Sequence, residues 1–316
     1  MSLNSKMLTL GIDTSNYTTS CAVYNGSDYD MSRKILDVKA GSRGIRQSEG
    51  VFVHNRELPV MLGEKLRRFQ GAIDAVGVST RPRAVEGSYM PVFTVGHGYA
   101  EVAAAAAGVK LYEFSHQDGH IMAGIYSSGM RDWLDRPFIS VHISGGTTEI
   151  LLSEYDGYNF RNEIIGGTLD ISAGQLIDRI GVKMGLKFPC GRELESLALR
   201  TDKTERLPFS VKGSYINFSG VETKLIRSVE DAEPETARTV LRYIGDVLVK
   251  AIGNAVTDTG INKVLIAGGV ASNSIIRGII SEQLKAEVYF ASKELSSDNA
   301  VGIAILAAMA KERDSI

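Results

Sequence analysis

Apolar residues open the chain as a run at 7–12 (MLTLGI), followed by a polar stretch at 13–17 (DTSNY) and a second β-rich run at 18–24 (TTSCAVY). Two such runs with a polar turn between them predict a hairpin. Residues 56–69 follow an amphipathic helical period, 75–79 (AVGVS) reads as a short buried strand, and the Ala-rich stretch 98–108 predicts a close-packed helix. The opening pattern then recurs: 138–144 (FISVHIS) is a strand, 145–148 (GGTT) a tight turn and 149–153 (EILLS) the returning strand. Further on, 263–267 (KVLIA) is a strand that runs into Gly268 and Gly269 and then a helix from about Ser272. Residues 299–311 form an apolar helix. Strand, polar turn, strand thus appears twice, roughly one domain apart, as a structural duplication rather than a sequence repeat.

Mixed strands and helices in two similar halves predict an α/β protein with a cleft between lobes. The expected division is an N-terminal lobe at 4–133, with the helix at about 296–316 packing back on it, and a C-terminal lobe at 134–295. Trp133 and Pro137 mark the crossing.

The length of 316 residues suits two domains, and 44% hydrophobic with 23% charged residues is an ordinary soluble composition. Lys plus Arg is 35 and Asp plus Glu 37, a net charge of −2. A nucleic-acid partner therefore has to be met by a local basic patch or through another subunit. Lys39, Arg43, Arg46, Arg81 and Arg83 are the basic residues that could form one. Lys65, Arg67 and Arg68 on the 56–69 helix are expected to be a solvated face. The two cysteines, Cys21 and Cys190, lie far apart, which fits a reducing cytoplasm better than a disulfide framework. No secretory signal opens the sequence, and the longest apolar stretches, such as 102–109, are too short and too Ala-rich to span a bilayer.

Three loops have the chemistry to hold a nucleotide. Ser144, Gly145, Gly146, Thr147 and Thr148 combine glycines, which let backbone N–H groups approach an anion, with flanking hydroxyls. Gly268, Gly269 and Asn273 follow a buried strand and open a helix, where an anion meets the helix N-terminus; a plain turn with Ser272 as N-cap accounts for the same residues. Asp13 and Ser15 place a carboxylate and a hydroxyl at a hairpin tip, where they can organise phosphate, metal or water, or simply form an Asx turn. By analogy the three match the phosphate-1, phosphate-2 and adenosine elements of the actin/hexokinase-type (ASKHA) fold, two duplicated lobes with a nucleotide cleft between them.

The five histidines include His116 and His120 in the sequence SHQDGH. On a helix their i,i+4 spacing puts both imidazoles on one face, within reach of one divalent metal. Asp298, just before the final helix, is the candidate third ligand and is equally placed to be an N-cap. Two histidines and one carboxylate with open positions suit Fe²⁺ or Zn²⁺ better than Mg²⁺.

Taken in order, these motifs resemble the tRNA N6-adenosine threonylcarbamoyltransferase family, also known as O-sialoglycoprotein endopeptidase or glycoprotease, over nearly the whole chain. GIDTS at 11–15 resembles the family's start, with Asp13 where many members carry Glu. SHQDGH resembles its His-x₃-His motif, and SGGT at 144–147 its phosphate loop. GTLD at 167–170 and AGQLID at 173–178 resemble the segment whose last residue, Asp178, contacts the nucleoside. FPCGR at 188–192 resembles a Tyr-Pro-Gly-Gly segment, with Gly191 as the binding glycine. NFSG at 217–220, AGGVASN at 267–273 and SDN at 297–299 complete the series. Three departures mark a divergent branch: Arg81-Pro82-Arg83 replaces a Gly-Pro-Gly stretch, Thr147 stands where His is usual, and Cys190 replaces a glycine.

The resemblance implies transfer of threonylcarbamoyl from threonylcarbamoyl-AMP to N6 of adenosine 37 in tRNAs that read ANN codons. It implies a metal on His116, His120 and Asp298, an adenine nucleotide (threonylcarbamoyl-AMP, or ATP and ADP) on the glycine loops, and accessory subunits of the same pathway as partners. Two other readings stay open from the residues themselves: a small-molecule kinase of the same fold, which the His pair argues against, and a non-catalytic scaffold paralogue. A protease reading has the His pair but finds no His-Glu-x-x-His arrangement and no evident nucleophile in this sequence.

Overall fold

The computed structural model describes residues 7–15, 17–36, 45–228, 233–297 and 299–316. In chain order the elements are β1 (Leu8–Ser15), β2 (Thr18–Tyr24), β3 (Tyr29–Ile35), α1 (Gln47–Arg68), β4 (Ile73–Arg81), α2 (Phe93–Ala107), β5 (Lys110–Ser115) and α3 (His116–Ser128). After these come β6 (Phe138–Ile143), β7 (Thr148–Tyr155), β8 (Phe160–Thr168), α4 (Ala173–Lys183), α5 (Gly191–Ala198), β9 (Val211–Lys212), β10 (Tyr215–Ile216), α6 (Ser219–Ser228) and α7 (Pro234–Thr259). The last are β11 (Lys263–Ala267), α8 (Ser274–Gln283), β12 (Glu287–Phe290) and α9 (Val301–Asp314). The chain divides into two compact units. One comprises Met1–Asp135, Glu154–Arg161 and Ser297–Ile316, the other Arg136–Ser153 and Asn162–Ser296.

In the first unit the sheet order is β3-β2-β1-β4-β5, with β1 antiparallel to β2 and parallel to β4. Alternation along the strands sorts its two faces. Leu10, Ile12, Val76 and Val78 point into a core shared with Leu58 and Leu62 of α1 and Val95 and Ala100 of α2. Thr9 and Gly11 point the other way, against α9: the Thr9 hydroxyl donates to the Ala304 carbonyl at 2.7 Å, and a Cβ on Gly11 would lie 2.4 Å from the Ala300 carbonyl. α9 also crosses α3 in direct backbone contact, because a Cβ on Gly302 would come within 1.9 Å of the Gly119 carbonyl oxygen.

In the second unit the order is β12-β11-β6-β7-β8-β10-β9. β11 lies between β6 and β12 and is parallel to both, while β6 and β7 form the second antiparallel hairpin. Its core is built from Ile139, Val141 and Ile143 of β6, Val264 and Ile266 of β11, and the apolar faces of α4, α5, α7 and α8.

Several boundaries differ from the sequence expectation. β1 continues through Asp13 to Ser15, and all three of its last residues are buried, so Asp13 is a strand residue and not a hairpin tip. Polar side chains at the end of a strand resemble a turn in sequence, but here each is enclosed. α1 begins at Gln47, nine residues ahead of the predicted start. Its buried stripe is Gly50, His54, Leu58, Leu62 and Lys65, and two of its first members are glycine and histidine, which hide the period. Lys65 is buried and ion-paired with Asp30 rather than lying on a solvated face. The N-cap of α8 is Asn273, not Ser272. Its side chain accepts from the Ile275 and Ile276 amides at 3.1 Å each, after a short 3-10 turn at Val270–Ser272.

Candidate functional site

Two groups of residues matter, one in each unit. In the first unit, α3 starts at the residue that follows β5. Ser115 is its N-cap and forms a reciprocal capping box with Asp118, the Ser115 hydroxyl accepting the Asp118 amide and Asp118 Oδ2 accepting the Ser115 amide at 2.9 Å. Asp118 is fully buried and also accepts the Phe160 amide at 3.3 Å through Oδ1. Burial pushes its carboxyl above the usual range against these donors. This cap fixes the first turn of α3 and with it the rings of His116 and His120.

The two rings meet edge-to-face with centroids 4.4 Å apart, and their Nε2 atoms lie 3.0 Å from each other. His116 turns its other nitrogen to β1: Nδ1 is 2.9 Å from Asp13 Oδ1. A carboxylate accepts, so Nδ1 carries the proton, and in the neutral ring Nε2 is left as a lone pair. Asp13 is wholly buried and also accepts the Ser79 hydroxyl. Ser79 is on the neighbouring parallel strand, one step beyond the Ile12–Val78 pair. Asp13 Oδ2 and Ser15 Oγ are buried without a hydrogen-bond partner among the described residues.

The spacing of the two Nε2 atoms matches two ligands of one divalent metal, although among the described residues no group of three or more His, Cys, Asp or Glu side chains is gathered to hold one. Two imidazole nitrogens at ~2.0–2.1 Å from a common ion stand roughly 2.9–3.4 Å apart as the N–metal–N angle opens from a right angle to tetrahedral. The Nε2 separation falls within that span. A carboxylate accepting the far N–H of a ligating histidine is the usual supporting contact. Asp298 lies outside the described residues.

The segment Arg81-Pro82-Arg83 adjoins this group. Arg81 pairs with Ser115 in the β4–β5 ladder, and the Gln117 amide donates to the Pro82 carbonyl at 3.1 Å. Arg83 and Arg81 are half-buried, while Lys39 and Arg43 lie outside the described residues.

In the second unit, the loop at 144–148 and the Gly268–Gly269 turn leave the carboxyl ends of two adjacent parallel strands, β6 and β11, where open α/β sheets bind ligands. Gly268 has φ +106, and a Cβ there would sit 2.3 Å from the Ile143 carbonyl oxygen, so glycine is required. The N-terminus of α4 closes on the same loop. Ala173 N donates to Thr148 Oγ1 at 2.9 Å, and Ser172 Oγ donates to the Gly145 carbonyl at 2.8 Å. The Thr147 amide currently donates to Ser144 Oγ at 3.1 Å, and no side-chain Cβ would meet anything within 4 Å at Gly145, Gly146 or Gly269. There is open room above this turn for an anion.

Asp178, midway along α4, accepts the Cys190 amide at 2.8 Å through Oδ1. Burial raises its carboxyl above the usual range, against that hydrogen bond. The contact anchors Gly191 at the start of α5. From there Glu195 reaches the start of α8, accepting the Ser274 amide at 2.7 Å and hydroxyl at 2.6 Å, beside Asn273. The structure thus joins Ser144–Thr148 with Gly268, and Asp178–Gly191 with Asn273 through Glu195. Ser79, Ser172 and Glu195 were not expected as members. Ser172 is recoverable from sequence as the capping box it forms with Gln175; Ser79 and Glu195 carry no local signal.

Two sheets of this order, each flanked by helices, are the fold of the actin/hexokinase-type proteins. The HypF protein from T. kodakarensis superposes with a TM-score of 0.60 at 15% identity, covering 99% of this chain and 49% of that one. A ROK family glucokinase from Streptomyces griseus, solved with glucose and AMPPNP, gives 0.54 at 10% identity over 95% of this chain and 99% of its own. Within that fold the match is specific: residues 53–305 fit the family model described as tRNA N6-adenosine threonylcarbamoyltransferase, and the chain belongs to this family of transferases. A member from Bacillus licheniformis is 29% identical over 325 residues, 96% of this chain and 92% of the relative. One from Sulfurihydrogenibium sp. is 28% identical over 94% and 89%. A probable bifunctional tRNA threonylcarbamoyladenosine biosynthesis protein from Thermoplasma acidophilum is 28% identical, and this chain spans 55% of its length.

Proposed function

We propose that this protein transfers the threonylcarbamoyl group from threonylcarbamoyl-AMP to N6 of adenosine 37 in tRNAs that read ANN codons. The observation that carries the reading is the line Asp13–His116–His120, in which a buried carboxylate orients one imidazole so that its lone pair faces the second. Fe²⁺ or Zn²⁺ held by His116 and His120, with Asp298 as third ligand, would supply Lewis-acid polarisation of the threonylcarbamoyl carbonyl.

The chain's own residues bind and orient. Asp13 and Ser79 hold His116 in one tautomer. Ser15, at the end of the same strand, offers a hydroxyl to the donor. Ser144, Gly145, Gly146, Thr147 and Thr148 cradle the adenylate phosphate with N–H and O–H donors that also stabilise charge developing on the leaving group. Asp178, Gly191, Gly268, Gly269 and Asn273 shape the nucleoside pocket. Accessory subunits of the pathway complete the assembly, which works in the cytoplasm; no helix among the described residues is long and apolar enough to cross a membrane.

The test is incubation with threonylcarbamoyl-AMP and tRNA, then digestion and mass spectrometry of the nucleosides. Threonylcarbamoyladenosine is expected with the wild type and not with His116→Ala. An unmodified tRNA pool in the presence of metal and partner subunits overturns the reading.

A further inference from the structure

α5 divides its surface three ways. Leu194, Leu197 and Ala198 are buried in the core, and Glu195 reaches α8. Arg192 and Ser196, one turn apart, share the remaining side of α5, and Arg200 follows just beyond the helix end; all three are exposed. With Leu186, Glu193 and Leu197 they line an open cavity of about 430 Å³. Among the described residues neither guanidinium has an ion-pair partner, and the exposed Lys183, at the end of α4, and Lys187, in the connection to α5, have none either. Glu193 accepts the Lys187 amide at 3.0 Å. Phe188, next in sequence, is 39% exposed. In a chain of net charge −2, this gathers four unpaired cations, a hydroxyl and an exposed aromatic ring on neighbouring segments, the composition that binds the backbone and stacks the bases of a single-stranded nucleic acid.

We propose that this face docks the phosphodiester backbone of the acceptor RNA. Arg192, in the first turn of α5, and Arg200, just past its C-terminal end, engage two phosphates of one strand, Ser196 donates between them, and Phe188 is available to a base. The proposal rests on the reading that tRNA is the acceptor. It deepens that reading by naming the surface of the second unit that meets the RNA.

The experiment uses the full chain and a fluorescein-labelled anticodon stem-loop RNA from a tRNA reading ANN codons, with binding followed by anisotropy across a KCl series. The double variant Arg192→Ala/Arg200→Ala is expected to bind at least ~10-fold more weakly, with the slope of log K against log [KCl] reduced by about 1.4–1.8 for two lost phosphate contacts. Arg192→Lys/Arg200→Lys is expected to retain most of the slope. ADP binding and the melting temperature are expected to be unchanged in both. Wild-type affinity and slope in the double Ala variant overturn the proposal. So does displacement of the RNA by poly-L-glutamate as effectively as by unlabelled stem-loop, which would make this a surface for an acidic peptide. The outcome separates from that of the function reading. A wild type that binds the RNA through these arginines but forms no threonylcarbamoyladenosine sinks the reading and leaves the surface standing. One that modifies tRNA with an unchanged KM for tRNA in the double Ala variant sinks the surface alone.

Discussion

His116 Nδ1 and Asp13 Oδ1 are 2.9 Å apart across 103 residues of sequence. The contact decides which imidazole nitrogen is left to bind. Because β1 and β4 are parallel and alternate in step, Asp13 and Ser79 fall side by side on the face that α3 covers, and the carboxylate has no freedom to turn away.

From this follows the first expectation. Purified protein loaded with Zn²⁺ or Fe²⁺ is expected to hold one metal per chain by elemental analysis. His116→Ala and His120→Ala should each abolish stoichiometric binding. Asp13→Asn keeps the volume but loses the full charge, and should lower metal affinity or transfer activity by roughly 10–100-fold. Metal retention in both histidine variants would refute the assignment.

The backbone contact between α3 and α9 predicts a steric cost. Gly302→Ala would push a methyl to within 1.9 Å of the Gly119 carbonyl, and a helix has to shift to relieve it. The loss is expected near the upper end of about 1–3 kcal/mol for overpacking, read as a fall of roughly 6–12 °C in melting temperature. Gly98→Ala is the control: its helical site has nothing within 4 Å of the added Cβ, and it should hold or slightly raise the melting temperature.

Asp170 ties β8 to the start of α6. Its carboxylate accepts the Phe218 amide at 2.8 Å, the Ser219 amide at 2.9 Å and the Ile171 amide at 2.7 Å. Partial burial opposes ionisation, but the donors from Ser219, Phe218 and Ile171 outweigh it and hold the group at about 2. A depressed carboxyl stabilises the fold above its unfolded pKa of about 3.9, and that contribution is lost as pH falls from there through the folded value. Urea midpoints measured from pH 5 to pH 2 should fall less steeply in Asp170→Asn than in the wild type. Parallel curves would show that Asp170 has no part in acid stability.

Burial raises both thiols, Cys21 to about 12 and Cys190 to about 11. Thiolate is the reactive form, so at pH 8 neither native cysteine should alkylate with iodoacetamide in the time a free thiol reacts fully. Both should alkylate in denaturant. Fast native labelling of Cys190, counted by mass spectrometry, would mean the α4–α5 junction opens.

Local patterns disclosed much of this structure. The two hairpins, the strand into Gly268 and the α3 helix with paired imidazoles are visible because each is set by neighbours in sequence: alternation, a glycine turn, a serine cap and an i,i+4 spacing. What stayed hidden depends on enclosure or distance. Asp13 and Ser15 read as a turn because their polarity says nothing about the helices that cover them. The first turns of α1 were missed because His54, bonded to Thr19 at 2.8 Å, occupies an apolar stripe. The links Asp13–His116, Asp178–Cys190 and Glu195–Ser274 join separate elements and have no local signature.

α9 belongs to the first unit, yet a ribosome makes it after the whole of the second. Until then one face of the β1–β4 sheet lacks its cover, and Thr9, Gly11 and Gly77, which pack on α9 in the finished structure, face water. The second unit has all its residues once Ser296 has been made, whereas the first lacks α9 until the residues after it follow, so the imidazole pair acquires its final surroundings only then. Nascent chains stalled before residue 297 are therefore expected to be the species that chaperones engage and proteases cut.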